Sequence, residues 1–154
     1  MDSHDGANDI KVPLPTSSQL TEIFSPGALQ FQQVQSVPPI ALAYIGDAVF
    51  ELYVRMQFLW PPQRIQMFHQ QVVSQVKAEQ QAAYLEQLTP HLRDVEADIV
   101  RRGRNATSKA PRRLSAKIYR QSTAFEALVG YLYITDQPRL CELLKNLSVT
   151  STLQ

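Results

Sequence analysis

The chain carries one cysteine, Cys141, in 154 residues. One thiol permits no internal disulfide and no cysteine-built zinc site. Glycine is scarce, with 5 in all, and none sits in a phosphate-cradling loop. Charged residues reach only 19%, below the typical ~25%, which argues against a coiled coil built on Glu and Lys. The 44% hydrophobic share excludes a mainly disordered chain. Long apolar runs are missing too. The strongest, Ile40 to Phe50, already contains Asp47, and a membrane helix needs ~20 apolar residues. Residues 1–9 hold Asp2, Asp5 and Asp9 with no Lys or Arg, unlike the cationic start of a secretory or transit signal. No Ser or Cys occupies a nucleophile elbow. His4-Asp5 lies outside any periodic segment, and His69 and His91 have no histidine three or four positions away. The expectation is a soluble, cytoplasmic protein of one domain without structural metal.

What is present is an uneven charge distribution. The formal net charge is +1. Yet Arg101, Arg102, Arg104, Lys109, Arg112, Arg113, Lys117 and Arg120 fall within 20 positions that contain no Asp or Glu. Such a stretch is either a solvated loop or an edge that faces a polyanion.

Residues 1–36 are rich in Asp, Ser, Pro and Gln, and read as a flexible arm. A short helical turn is expected at Leu20 to Phe24, with Ser18 as N-cap. Pro38 and Pro39 suit a first helical turn, where a missing N–H costs nothing. Ile40 to Leu59 is apolar nearly all round, which predicts a central helix ended by Trp60-Pro61-Pro62. A second helix is expected from Gln63 to Leu88, with Ile65, Phe68, Val72, Val76 and Ala83 on one stripe. A third would start at Thr89-Pro90, bury Leu92, Val95, Ile99 and Val100, and stop at Gly103. A basic loop would follow to about residue 115. A fourth helix over Ala116 to Ile134 and a short last one from Pro138 to Leu147 complete an all-α domain spanning residues 37–148, with a tail over 149–154.

Two places set carboxylates among apolar residues. Asp47 and Glu51 stand four apart on one helix, beside Gly46, whose helical position costs ~1 kcal/mol relative to Ala unless a backbone must approach closely. Glu126 stands alone in Phe125-Glu126-Ala127-Leu128-Val129-Gly130. A buried carboxylate must meet a cation, a donor or a metal. Salt bridges to Arg55 or Arg120 would satisfy these groups; so would convergence on Mg²⁺, a hard cation that takes oxygen ligands and keeps several waters.

Leu42-Ala43-Tyr44-Ile45-Gly46-Asp47-Ala48-Val49 resembles the signature helix of the ribonuclease III catalytic domain, and Phe125 to Gly130 resembles that family's later E-A-L-[IV]-G helix. The blocks come in the expected order, about 80 residues apart. Arg101-Arg102-Gly103-Arg104-Asn105-Ala106 is similar to a motif of the Mini-ribonuclease III branch, as is Val76-Lys77-Ala78-Glu79-Gln80-Gln81-Ala82. Full-length members carry Glu and Asp where this chain has Ala43 and Thr123; the small branch matches the chain at both.

The resemblance implies a ribonuclease III-like helical endonuclease domain that cuts double-stranded RNA with Mg²⁺ as cofactor. It implies Asp47 and Glu126 as catalytic and metal-binding residues. Glu51 stays open between a metal ligand and a subunit contact. Arg101, Arg102, Arg104, Asn105, Lys109, Arg112 and Arg113 are the expected RNA-binding residues. A homodimer is implied, with Ile45, Val49 and Leu52 as its candidate face. The implied substrate is precursor large-subunit (23S) ribosomal RNA, with a large-subunit ribosomal protein as a candidate partner and no membrane. The competing readings are a non-catalytic helical RNA-binding module and a small helical adaptor.

Overall fold

The computed structural model describes residue 24, residues 31–106 and residues 109–149. Among these the fold is all-α, with no strand. The helices are α1 (Phe31–Val34), α2 (Pro39–Gln57), α3 (Ile65–Val76), α4 (Ala78–Leu88), α5 (Asp94–Asn105), α6 (Ala116–Thr135) and α7 (Gln137–Lys145), with a single 3-10 turn over Thr89–His91. No described helix is long and apolar enough to cross a membrane. Apart from Phe24, an exposed turn residue, the expected turn at Leu20 to Phe24 lies outside the described residues.

The centre of the bundle is α6, against which α2, α4, α5 and α7 all pack. Ser122 to Tyr131 is buried throughout except at Glu126, because neighbours surround the helix on every side. This corrects the expectation that the Ile40 to Leu59 helix is central. In α2 only Leu42, Ala43, Gly46, Phe50 and Val54 are buried. Tyr44, Ile45, Leu52 and Met56 remain exposed. An apolar periphery looked like burial on all sides; half of it faces outward.

The packing of α2 on α6 depends on two glycines. A Cβ on Gly46 would lie 1.7 Å from the Glu126 carbonyl oxygen, and one on Gly130 would lie 2.0 Å from that of Leu42. The backbones therefore touch at these two points. Beside the crossing, Phe50 meets Phe125 edge-on at 4.8 Å between ring centroids and Tyr84 at 5.9 Å. These rings lock α2, α4 and α6 together.

Three expected boundaries differ from the structure. The Gln63 to Leu88 helix is broken at Lys77, whose extended backbone caps α4 by accepting from the Gln80 and Gln81 N–H groups. No Pro or Gly marks that break. Tyr84 on α4 donates its hydroxyl to Gln75 on α3, which holds the bend. The third helix begins at Asp94, not at Thr89-Pro90, because Leu92 is extended and the Glu96 carboxylate accepts from the Arg93 N–H at 2.9 Å. Val95 is consequently exposed. Nor does Gly103 stop this helix. It lies inside α5, where a Cβ would come within 2.9 Å of Ala124 Cα, so its role is close packing on α6.

A buried ion pair ties α5 to α7. Arg139 donates to both Glu96 oxygens at 2.8 and 3.0 Å and to the His91 carbonyl at 2.7 Å. Burial alone would raise the Glu96 carboxyl, but the bonds from Arg139 and the Arg93 N–H outweigh it and hold the group below its ordinary range. At the chain's other end, Val34 is buried in the core, and Gln35 donates to the Tyr131 hydroxyl at 3.0 Å. Among the described residues, packing thus includes positions before 37.

Gly46→Ala and Gly130→Ala should each destabilise the domain. The clash is with backbone, so overpacking of ~1–3 kcal/mol or more should exceed the ~1 kcal/mol gain in helix propensity. Urea unfolding at equilibrium checks this; a midpoint equal to or above wild type would contradict the crossing.

Candidate active site

Helix α2 presents Asp47 immediately after Gly46, and α6 presents Glu126, whose carbonyl is the atom nearest Gly46. The point of closest backbone approach is therefore where the two carboxylates converge. They line one cleft of about 290 Å³ with Ala43, Gln81, Ser122 and Thr123. Ser122 and Thr123 turn their hydroxyls back onto the Tyr119 carbonyl at 2.9 and 3.0 Å, which leaves the carboxylates as the principal charges of the cleft.

The electrostatics follow from that convergence. Burial, and then the neighbouring Asp47 charge, push the Glu126 carboxyl up to about 7. The Gln81 amide opposes this by favouring the charged form. Asp47, more exposed, is raised by desolvation and then by the Glu51 charge. The ion pair that would have satisfied Glu126 through Arg120 does not form among the described residues. Glu51 pairs with Arg55 one turn along α2 and lies outside the cleft lining.

No group of three or more His, Cys, Asp or Glu side chains gathers as metal ligands among the described residues. Two carboxylates at one cleft, raised by burial and then by a neighbouring negative charge, nevertheless fit a hard divalent cation that keeps most of its waters.

The basic residues divide into two sets. Arg101, Arg102, Arg104 and Asn105 all belong to α5, which corrects the expected stop at Gly103 with Arg104 and Asn105 in a loop beyond it. Arg101 pairs with Asp98, and Arg104 donates from Nε to Gln121 at 2.7 Å. Lys109, Arg112 and Arg113 are exposed in the connection to α6. Leu114, next in the chain, lines the cleft, one and two positions after the exposed Arg113 and Arg112. Gln81 was missed as a site residue, although it lies within the Val76 to Ala82 stretch that matched a family motif. A glutamine among small helical residues carries no sign of burial.

The Glu126 shift has a stability consequence. Between about pH 4.5 and 7 the folded chain keeps a proton that the unfolded chain has released. Unfolding free energy should therefore fall as pH rises through that window, by at most ~3 kcal/mol, and level off above it. Asp47 adds in the same direction. Urea midpoints in chelator from pH 4.5 to 8 measure the slope, and Glu126→Gln should remove most of it. An equally steep decline in that variant would contradict the assignment.

The Ribonuclease III domain model matches residues 40–137, the span that holds both carboxylates and the crossing. A Mini-ribonuclease 3 from Thermosynechococcus vestitus is 54% identical over 112 residues, covering 73% of this chain and 74% of its own. One from Synechocystis sp. is 56% identical over 111 residues, covering 72% and 78%. Among solved structures, a crystal structure of a Fusobacterium nucleatum protein superposes with a TM-score of 0.66 at 26% identity, covering 70% of this chain and 88% of that one. A helical domain with these motifs in this order, on this crossing, belongs to the ribonuclease III family of endoribonucleases and to its Mini-ribonuclease III branch.

Proposed function

We propose that the chain is a Mg²⁺-dependent endoribonuclease that cuts double-stranded RNA at the cleft shared by Asp47 and Glu126. The observation that carries this reading is the convergence of two carboxylates with no positive side chain between them. A bound Mg²⁺ supplies charge neutralisation at the scissile phosphate and a water of lowered pKa. Asp47 and Glu126 hold that ion by charge. The small Ala43 and the self-bonded Ser122 and Thr123 leave the rest of the cleft to water and phosphate. Glu51, committed to Arg55, tunes Asp47 through its charge and is not a ligand. Cleavage leaves 5′-phosphate and 3′-hydroxyl ends.

Duplex RNA offers phosphates and 2′-hydroxyls across a wide, shallow minor groove. Arg112 and Arg113, just before the cleft-lining Leu114, with Lys109 earlier in the same connection and Arg101, Arg102, Arg104 and Asn105 on α5, supply the matching donors. Cutting both strands needs two sites related by a two-fold axis, which a C₂ homodimer provides. The exposed α2 stripe of Ile45, Leu52 and Met56 is the face for that contact. Val49, expected on it, instead packs partly against the core. The biological substrate in this reading is precursor 23S ribosomal RNA in the cytoplasm. A large-subunit ribosomal protein would act there as partner.

Asp47→Asn and Glu126→Gln should each lower cleavage of a long RNA duplex by orders of magnitude, while duplex affinity in a gel-shift assay persists. Glu51→Gln should have a smaller effect. Wild-type rates in either of the first two, or full activity in chelator, would contradict the metal site. Sedimentation at micromolar concentration should show a dimer that Leu52→Asp converts to monomer; a monomeric wild type that still makes paired cuts would contradict the two-site arrangement.

A further inference from the structure

Gln81 is 1% exposed, and its Nε2 is the one buried side-chain donor among the described residues with no hydrogen-bond partner. Leaving such a donor unpaired is costly, and native folds seldom keep one without a use. Its position is firm. The Gln81 backbone N–H donates to the Lys77 carbonyl at 3.0 Å, in the first turn of α4, so the break between α3 and α4 sets where this side chain points. It lines the cleft that holds Asp47 and Glu126; its amide is near enough to favour the charged Glu126 carboxyl, yet no hydrogen bond of normal geometry joins the two. A flipped amide would set an oxygen against a carboxylate, so only the nitrogen-inward orientation is favourable.

The Nε2 atom has almost no solvent-accessible surface. Substrate cannot touch it directly, and its reach is through Glu126. We propose that Gln81 is a positioning residue: its Nε2 donates to one oxygen of Glu126 when that carboxylate holds a divalent cation, and so aims the other oxygen toward Asp47. The proposal rests on Asp47 and Glu126 being the metal ligands. It gives the unpaired donor a partner in the working state, as outer groups do for ligands at other metal sites.

Calorimetric titration of the whole protein with Mg²⁺ tests this, using wild type, Asp47→Asn and Gln81→Met, which keeps side-chain length and removes the donor. Wild type should bind, Asp47→Asn should lose binding, and Gln81→Met should weaken it by roughly 10–100-fold with an unchanged or higher melting temperature. In cleavage assays Gln81→Met should lower kcat, leave KM for duplex RNA unchanged, and recover as Mg²⁺ is raised, which a damaged fold would not do. Should Gln81→Met fail to fold, Gln81→Asn, which withdraws the amide by one methylene, is judged in the same titration by the same criterion. A folded variant with wild-type Mg²⁺ affinity overturns the proposal alone. A wild type that takes up no Mg²⁺, or an Asp47→Asn variant that binds normally, overturns the ligand assignment and the proposal with it.

Discussion

Two helices cannot approach until their backbones touch unless both lack a side chain at the contact. Gly46 and Gly130 meet that condition, each facing a carbonyl of the opposite helix. Everything at the cleft follows from it. Asp47 follows Gly46 in sequence, and the carbonyl that Gly46 touches belongs to Glu126, so the residues that permit the crossing also bring the carboxylates together. Phe50 and Phe125, one turn and one residue away, use the same approach to form an edge-on ring contact. A glycine that weakens each helix in isolation is offset by packing available only to the pair.

Glu96 and Glu126 show what such a fold does with charge. Glu96 is more deeply buried than Glu126, yet its carboxyl is held low by Arg139 and the Arg93 N–H. Glu126 meets another carboxylate, and its carboxyl rises. The first arrangement joins α5 to α7 and is complete as it stands. The second leaves two like charges unbalanced. A domain this small keeps an unbalanced pair only at a small cost spread over a well-packed core, and the α6-centred bundle supplies that core.

Much of this was legible in the sequence because the signals were periodic or carried by rare residues. The all-α class and the extents of α2 and α6 follow from helical spacing, whereas the pairing of Asp47 with Glu126 was implied by the resemblance of two motifs to the ribonuclease III family. The misreadings have physical causes. The Ile40 to Leu59 segment looked central because composition cannot distinguish burial in a core from an apolar face left outward. The break at Lys77 carries no Pro or Gly; it is imposed by tertiary contacts such as Tyr84 to Gln75. Gly103 looked like a helix stop because the same lack of a side chain serves both a C-cap and a close helix crossing. Gln81 and the Glu96–Arg139 pair were invisible for a related reason. Nothing local in the chain reports that a polar residue will be buried, or what it will meet across 43 positions.

The central claim is that a divalent cation sits between Asp47 and Glu126, and anomalous diffraction tests it most directly. Crystals grown with Mn²⁺ in place of Mg²⁺ should show an anomalous peak within ligand distance of a carboxylate oxygen from each residue. An otherwise ordered structure, at a Mn²⁺ concentration that supports cleavage, with no peak at those carboxylates would contradict the account.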